Sequence, residues 1–325
     1  MISIITAHYN RARLIKDSID SVLDQSYGNW EMIIVDDGSE IDEWDTVVDY
    51  IKKDKRIKLF KRTGLNKGPS ACRNEGVAKS NGDYIVFLDS DDMLKSFCLR
   101  QRHEMMEAEK NITWAVFLIE NFSKIPGDLG NSFNLVIPTE KLIEAFVTNN
   151  NPWQTMAPIW KKSFFTELGG FDESLLCMED PDLHLRALRK NITLVKICYD
   201  KPADCFYRIH HSDNTKSNFY FNSIQYRILF YKKILNELSG KDFVKINKQP
   251  MREGIFNLIK SFVFSRRNEF PVLYYDLLQL MRESNLFSSL EVWKIKMLVD
   301  WGNMDSAILK KLKIKGICYK LLPKG

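Results

Sequence analysis

No stretch of this 325-residue chain approaches the ~18 consecutive apolar residues of a membrane-spanning helix. It contains no internal repeat and no low-complexity tract. The cysteines Cys72, Cys98, Cys177, Cys198, Cys205 and Cys318 are scattered, with no Cys-x-x-Cys pair and no Cys/His ligand spacing. A zinc site of the usual pattern is thereby excluded, and most read as ordinary buried thiols. Charge of one sign is scarce too. A net +5 suits anionic small molecules or a membrane surface and is too small to argue for nucleic acid. The sequence opens on the strand-like run Ile2 to Ala7, without the basic and apolar regions of a signal peptide. A cytoplasmic protein with reduced thiols is expected.

What is present is a globular composition, 45% hydrophobic and 27% charged, at a length that predicts two domains or one large domain with an appendage. The first part alternates strand and helix. Apolar runs at Ile2–Ala7, Trp30–Val35, Ile57–Phe60 and Tyr84–Leu88 read as strands. Helical spacing covers Leu14–Leu23, Trp44–Ile51 and Pro69–Lys79. Such alternation predicts a mostly parallel sheet covered by helices on both faces. Further on, Thr113 to Glu120 reads as one strand, Asn121 to Pro138 as a loop, and Lys141 to Phe146 and Pro181 to Arg189 as helices. From Asn218 helical patterns dominate: 224–238, 255–264, 272–281 and 290–299. The predicted division is 1–217, with halves at about 1–92 and 93–217, followed by a helical appendage over 218–325.

The most informative stretch is Asp89-Ser90-Asp91-Asp92, directly after the strand Tyr84–Leu88. Three carboxylates in four residues repel one another, and each needs water, a cation or hydrogen bonds. A divalent cation bridging to a phosphate satisfies them, and so does a solvated acidic turn. Context favours the first reading. In parallel α/β sheets, ligands bind beyond the carboxyl ends of the strands. Here those ends carry Ala7-His8-Tyr9-Asn10, Asp36-Asp37-Gly38-Ser39 and the acidic tetrad.

These segments, with Asn66-Lys67-Gly68-Pro69-Ser70-Ala71-Cys72-Arg73-Asn74-Glu75-Gly76, closely resemble the family 2 glycosyltransferases over about the first 215 residues. The resemblance implies the GT-A fold, a Rossmann-like α/β sheet, and inverting transfer from a nucleotide sugar. It places Asp89 and Asp91 in an Asp-x-Asp motif holding Mg²⁺ or Mn²⁺ against the diphosphate, with Asp91 the more direct ligand and Ser90 beside them. It places Asp37 at the base, usually uracil, and Ala7, His8 and Tyr9 around the nucleoside. Arg73 would reach base or phosphates, or else be a helix-surface arginine. Gly68 and Asn74 read as structural.

On the acceptor side, Gly169-Gly170-Phe171-Asp172-Glu173 and Glu179-Asp180-Pro181-Asp182 match the family pattern. There Asp180 would be the catalytic base and Glu179 would orient the acceptor. Asp180 before Pro181 also reads as a helix N-cap with proline at N1. Tyr207-Arg208-Ile209-His210 resembles a Tyr-Arg-x-His motif, whose histidine joins the metal or diphosphate. His210 is favoured over His211 by register. Trp153 and Trp160 read either as sugar-stacking rings or as core, and His184 as structural. Two departures stand out: Ala7 replaces a common proline, and Pro181 a common aromatic.

The tail from Ile308 to Gly325 carries six lysines among leucines and isoleucines, with no acid. It reads equally as a membrane-surface segment or as a solvated basic end. The expected function is transfer of a sugar, from a UDP-sugar by preference, to a hydroxyl of a glycan or lipid-linked saccharide in cell-surface polysaccharide synthesis. The expected location is cytoplasmic, at the inner membrane face if the tail binds there. The alternatives are a non-catalytic nucleotide-sugar-binding scaffold and a sugar nucleotidyltransferase. The latter predicts a glycine-rich basic loop where Ala7-His8-Tyr9-Asn10 stands.

Overall fold

The computed structural model describes residues 1–209, 216–236, 241–304 and 312–323. His210 and His211 lie outside the described residues, as do Lys310, Lys311 and Lys324 of the basic tail. The chain divides into two compact units, residues 1–142 with 151–211, and residues 143–150 with 212–325.

In the first unit, strands β1 (Ile2–His8), β2 (Trp30–Asp36), β3 (Ile57–Lys61) and β4 (Tyr84–Phe87) form the parallel half of a seven-stranded sheet. β5 (Met93–Leu94), β6 (Trp114–Val116), β7 (Ile119–Phe122), β8 (Pro158–Lys161), β9 (Val195–Ile197) and β10 (Cys205–Arg208) follow. The large sheet has the order β3-β2-β1-β4-β8-β6-β9, and β8 runs antiparallel to both β4 and β6. The helices of this unit are α1 (Ala12–Leu23), α2 (Ile41–Ile51), α3 (Pro69–Lys79), α4 (Cys98–Ala108), α6 (Lys162–Glu167) and α7 (Glu179–Lys190), while α5 (Leu142–Val147) belongs to the second unit from Ile143 on.

Ile2, Ile4, Ile5 and Met32 to Val35 are fully buried. That is why β1 and β2 are mostly apolar: a parallel sheet covered on both faces offers no wet side. Helix α3 lies so close to the sheet that a Cβ at Gly76 would sit 2.5 Å from Ile5 Cγ2. This close approach brings Arg73, one turn earlier, over the strand ends.

The segment predicted as one strand over Thr113–Glu120 is two. The chain leaves the large sheet at Phe117 and resumes as β7 in a three-stranded sheet of order β5-β10-β7. Periodicity cannot register this change of sheet, because both pieces are buried. β5, β8, β9 and β10 are only two to four residues long, too short to read from alternation.

The second unit contains α8 (Lys216–Asn236), α9 (Lys241–Ile246), α10 (Lys248–Leu258), α11 (Pro271–Glu283), α12 (Ser289–Gly302) and α13 (Ile314–Leu321). Its core includes Tyr231, whose hydroxyl donates to the Val147 carbonyl at 2.9 Å and accepts from Asn149 at 2.6 Å. Among the described residues, no helix is long and apolar enough to cross a membrane.

Candidate active site

A cavity of about 510 Å³ opens over the carboxyl ends of β1, β2 and β4, within the usual size of a ligand site. Its wall holds Ala7, His8 and Tyr9, then Asp37, Gly68 and Arg73, then Asp89, Ser90 and Asp91, together with Arg11, Tyr207 and Arg208. All seven residues expected at the nucleotide and both aspartates expected at the metal therefore come to one place. Tyr9 is exposed. The His8 imidazole is fully buried, neither ring nitrogen has a hydrogen-bond partner among the described residues, and burial lowers its pKa. At His8 it is the backbone that meets the cavity edge, while its carbonyl accepts from Asp37 N at 2.8 Å.

The two acids after β2 divide their work. Asp36 closes its own turn, accepting from Gly38 N at 3.0 Å and Ser39 N at 2.9 Å. Asp37 turns outward and accepts from Gly68 N at 2.8 Å and from Arg62. Gly68 has φ +100, a left-handed value open to glycine at little cost, so the loop before α3 presents its N–H to Asp37.

The acids after β4 separate further. Asp89 accepts from Arg73 at 2.7 Å. Asp91 pairs with Arg11 through its carboxylate, and its carbonyl accepts from Arg208 Nε at 2.8 Å. Asp92 is buried and accepts from Arg208 N at 2.7 Å. Burial, then the charges of Asp89 and Asp91, push its pKa up. The chain continues from Asp92 into β5, so Asp92 is a supporting carboxylate and does not start a helix. The β5–β10 pairing, with Phe206 opposite Met93, is what delivers Arg208 to this turn. Arg102 and Asp204, both fully buried and joined by bonds of 2.8 and 2.7 Å, fix α4 to the approach of β10.

Arg73 also connects this turn to the acceptor-side motif. Its Nη1 lies 3.6 Å from Glu179 Oε1, and the charges of Asp89, Asp180 and Glu179 outweigh burial to hold it protonated. Glu179 and Asp180 are not among the residues lining the cavity; they stand beside Arg73. Burial, then the neighbouring Asp180, push Glu179 up to about 7. Burial also raises Asp180, against the pull of Arg73.

Asp180 is not an N-cap. The cap position is Met178, in a left-handed conformation at φ +71, and α7 begins at Glu179. The Asp180 carboxylate accepts from Thr155 N at 2.7 Å and from the Thr155 hydroxyl. Pro181 still falls in the first turn, where a missing N–H costs nothing. Asn74 exchanges two 2.9 Å hydrogen bonds with the Phe171 backbone, the structural role its sequence context suggests.

Trp153 and Trp160 are buried. Trp160 stacks on Trp114 and His184, with centroids 4.4 and 5.8 Å apart, so these rings are core and cannot stack on a sugar. Burial among them lowers His184 to about 3, which makes it a neutral core group. Sequence reasoning missed Arg11, Arg62 and Thr155. Arg11 directly follows Tyr9-Asn10, but Arg62 and Thr155 lie in segments without a motif.

The donor set fits a hard divalent cation. Two carboxylates at a cavity wall, completed by substrate phosphates and water, are what Mg²⁺ uses in place of an all-protein cage. Among the described residues, no group of three or more metal-ligating side chains is assembled.

Residues 3–164 match the family model described as "Glycosyl transferase family 2". The chain belongs to this family. A Haemophilus influenzae protein described as an uncharacterized glycosyltransferase is 36% identical over 157 residues, 48% of this chain and 60% of that protein. The Escherichia coli "UDP-Glc:alpha-D-GlcNAc-diphosphoundecaprenol beta-1,3-glucosyltransferase WfaP" is 40% identical over 110 residues, 34% of this chain and 43% of that one. The chain thus spans three fifths or less of either relative. Among solved structures, S. aureus TarS 1-349 in complex with UDP-GlcNAc superposes with a TM-score of 0.62 at 17% identity, over 98% of this chain and 90% of that one. At that identity the likeness concerns the fold, which is the GT-A arrangement of a mostly parallel sheet between helices.

Proposed function

We propose that this family member is an inverting glycosyltransferase. It would move a sugar from a UDP-sugar to a hydroxyl of a glycan or lipid-linked saccharide in cell-surface polysaccharide synthesis. The observation that carries this reading is Arg73, which joins the cavity's Asp89 to the Glu179–Asp180 pair. A nucleotide-side acid and an acceptor-side acid are thereby held around one buried cation. The activity named for the Escherichia coli relative and the UDP-GlcNAc bound by TarS support the donor and acceptor class.

In this reading Asp37 receives the base, and Ala7, His8 and Tyr9 form the nucleoside wall, with Arg73 and Ser90 near the phosphates. Asp89 and Asp91 would hold Mn²⁺ or Mg²⁺, which when bound neutralises the charge that grows on the leaving diphosphate. His210 is proposed as a further ligand and lies outside the described residues. Asp180 takes the proton of the acceptor hydroxyl as its oxygen bonds to C1 of the sugar. The C1–O bond to the diphosphate breaks on the opposite face. No covalent intermediate is needed, and the anomeric centre inverts. Thr155 fixes the direction in which Asp180 points, and Glu179 orients the acceptor.

The transferase unit is proposed to be residues 1–142 with 151–211, working at the cytoplasmic membrane face, where a lipid-linked acceptor resides. UDP release from a panel of UDP-sugars with Mn²⁺ and glycan or lipid-linked acceptors tests the reading. Release with at least one donor is expected. No release across the panel, with UDP still bound, would point to a binding scaffold.

A further inference from the structure

Helix α12 carries apolar side chains on two opposite faces. Val292, Ile295, Val299 and Gly302 face inward. At Gly302 a Cβ would stand 3.3 Å from Cys318 Cβ of α13. A helix of this length in a soluble unit ordinarily turns polar residues outward. Here the outward positions are Leu290, Trp293, Met297 and Trp301, with Met304 just past the helix end. Spacings of three and four put those within the helix on one stripe roughly 100° wide. Leu290, Trp293, Trp301 and Met304 are 59%, 57%, 52% and 54% exposed. Two half-exposed tryptophans on one stripe are a standing cost in water unless something covers them.

The charge of this end of the sequence points to the cover. Residues 289–325 contain eight lysines and three acids, a net +5 equal to that of the whole chain, so the other 288 residues sum to zero. Of the three acids, Glu291 is held by Arg252 at 2.6 Å, and Asp300 by Arg267 at 2.9 Å and Lys296 at 2.6 Å. Lys294 stands exposed beside the stripe. Tryptophan rings with an exposed lysine beside them suit the interface of an anionic bilayer, where the ring sits at headgroup level and the ammonium meets lipid phosphate. Both acids of the helix are already engaged, so a second copy laid on this face would bring Lys294 no free acid of α12.

We propose that the outward face of α12 docks the helical unit on an anionic phospholipid surface. This assigns a surface to the membrane location proposed above. Docking is read without nucleotide or acceptor, so failure of docking and failure of the transferase reading are separable.

The test is co-sedimentation of the full chain with vesicles of phosphatidylcholine alone or mixed with phosphatidylglycerol. Binding to the mixed vesicles is expected, weakening as salt is raised. The double variant Trp293→Ala/Trp301→Ala should bind on the order of tenfold more weakly, and Lys294→Gln roughly fivefold. Both tryptophans are exposed, so unfolding should be unchanged. Quenching of wild-type tryptophan emission by brominated lipid reads the same contact without any substitution. The proposal is overturned if the wild type ignores phosphatidylglycerol vesicles, if brominated lipid does not quench, or if the double variant binds as the wild type does. A wild-type dimer that the double variant dissolves, without vesicle binding, would assign the face to a second copy and equally overturn it.

Discussion

Two walls of the cavity each set an arginine on an aspartate of the acidic turn, and the two pairs differ in kind. On one wall Arg73 is 6% exposed and faces Asp89, Glu179 and Asp180 together. On the other Arg11 is 48% exposed and pairs with Asp91. A buried cation shared by three carboxylates cannot leave without stranding charge, so it acts as a fixed brace. A half-exposed arginine is already partly in water and can be exchanged at small cost. Asp89 and the Glu179–Asp180 pair are thus tied rigidly through Arg73. Under the proposed function, the Asp91 side is the one that would give up its arginine to a divalent cation and a diphosphate.

The sharpest break of this comparison is at the acid Arg73 serves. Asp180→Asn removes the proposed base and keeps its shape; its one amide oxygen can still accept from Thr155 N, while its NH2 must donate to the Thr155 hydroxyl instead of accepting from it. Transfer should fall by ~10²–10⁴, with metal-dependent UDP binding retained in calorimetry. Loss of UDP binding in this variant would contradict the role. Next comes the brace itself. Arg73→Gln leaves three carboxylates around a neutral amide and should lower folding stability by ~3–5 kcal/mol, measured by urea unfolding. Arg73→Lys should recover only part of this, since a point charge cannot span the groups that the planar guanidinium spans. An Arg73→Gln protein as stable as the wild type would show that the carboxylates are already protonated or solvated.

The two walls were not equally legible in the sequence. Asp37, Arg73, Asp89 and Asp91 stand at strand ends and a helix start inside dense motifs, and all reach the cavity. Asp180 was legible as an acid at a helix start, but its partner was not. Thr155 lies 25 residues upstream in a segment without periodicity, and only the fold brings its two donors to the carboxylate. Arg208 shows the same limit. Its motif is visible, but its grip on Asp92 depends on β10 pairing with the two-residue β5. Local pattern reports which residues carry chemistry. Long-range pairing of short strands decides what they touch.

A smaller effect separates the acids around the brace. Glu179 ordinarily titrates at 4.5, and burial with Asp180 lifts it to about 7 in the folded chain. The folded state therefore binds this proton more tightly than the unfolded state. Its contribution is present below pH 4.5 and is lost as pH rises through about 7. Glu179→Gln should flatten that part of the dependence of Tm on pH, leaving the variant relatively more stable at pH 8 than at pH 5. A parallel shift of the two curves would assign the pH dependence elsewhere.

The smallest expected effect is at the exchangeable wall. Arg11→Gln should change folding stability by about 1 kcal/mol, since the arginine is half-exposed although Asp91 is buried. It also frees the Asp91 carboxylate of a competing cation. Mn²⁺ affinity without nucleotide, read by calorimetry, should therefore rise by a few-fold, about what an ion pair of that strength would withhold. The Asp91→Asn variant should lose Mn²⁺ affinity, and adding Arg11→Gln to it should then change nothing further. This non-additivity is the decisive part. If Arg11→Gln moved Mn²⁺ affinity equally with and without the Asp91 carboxylate, the arginine would be acting through the general field of the cavity. The contrast between a fixed brace and an exchangeable partner would then fail.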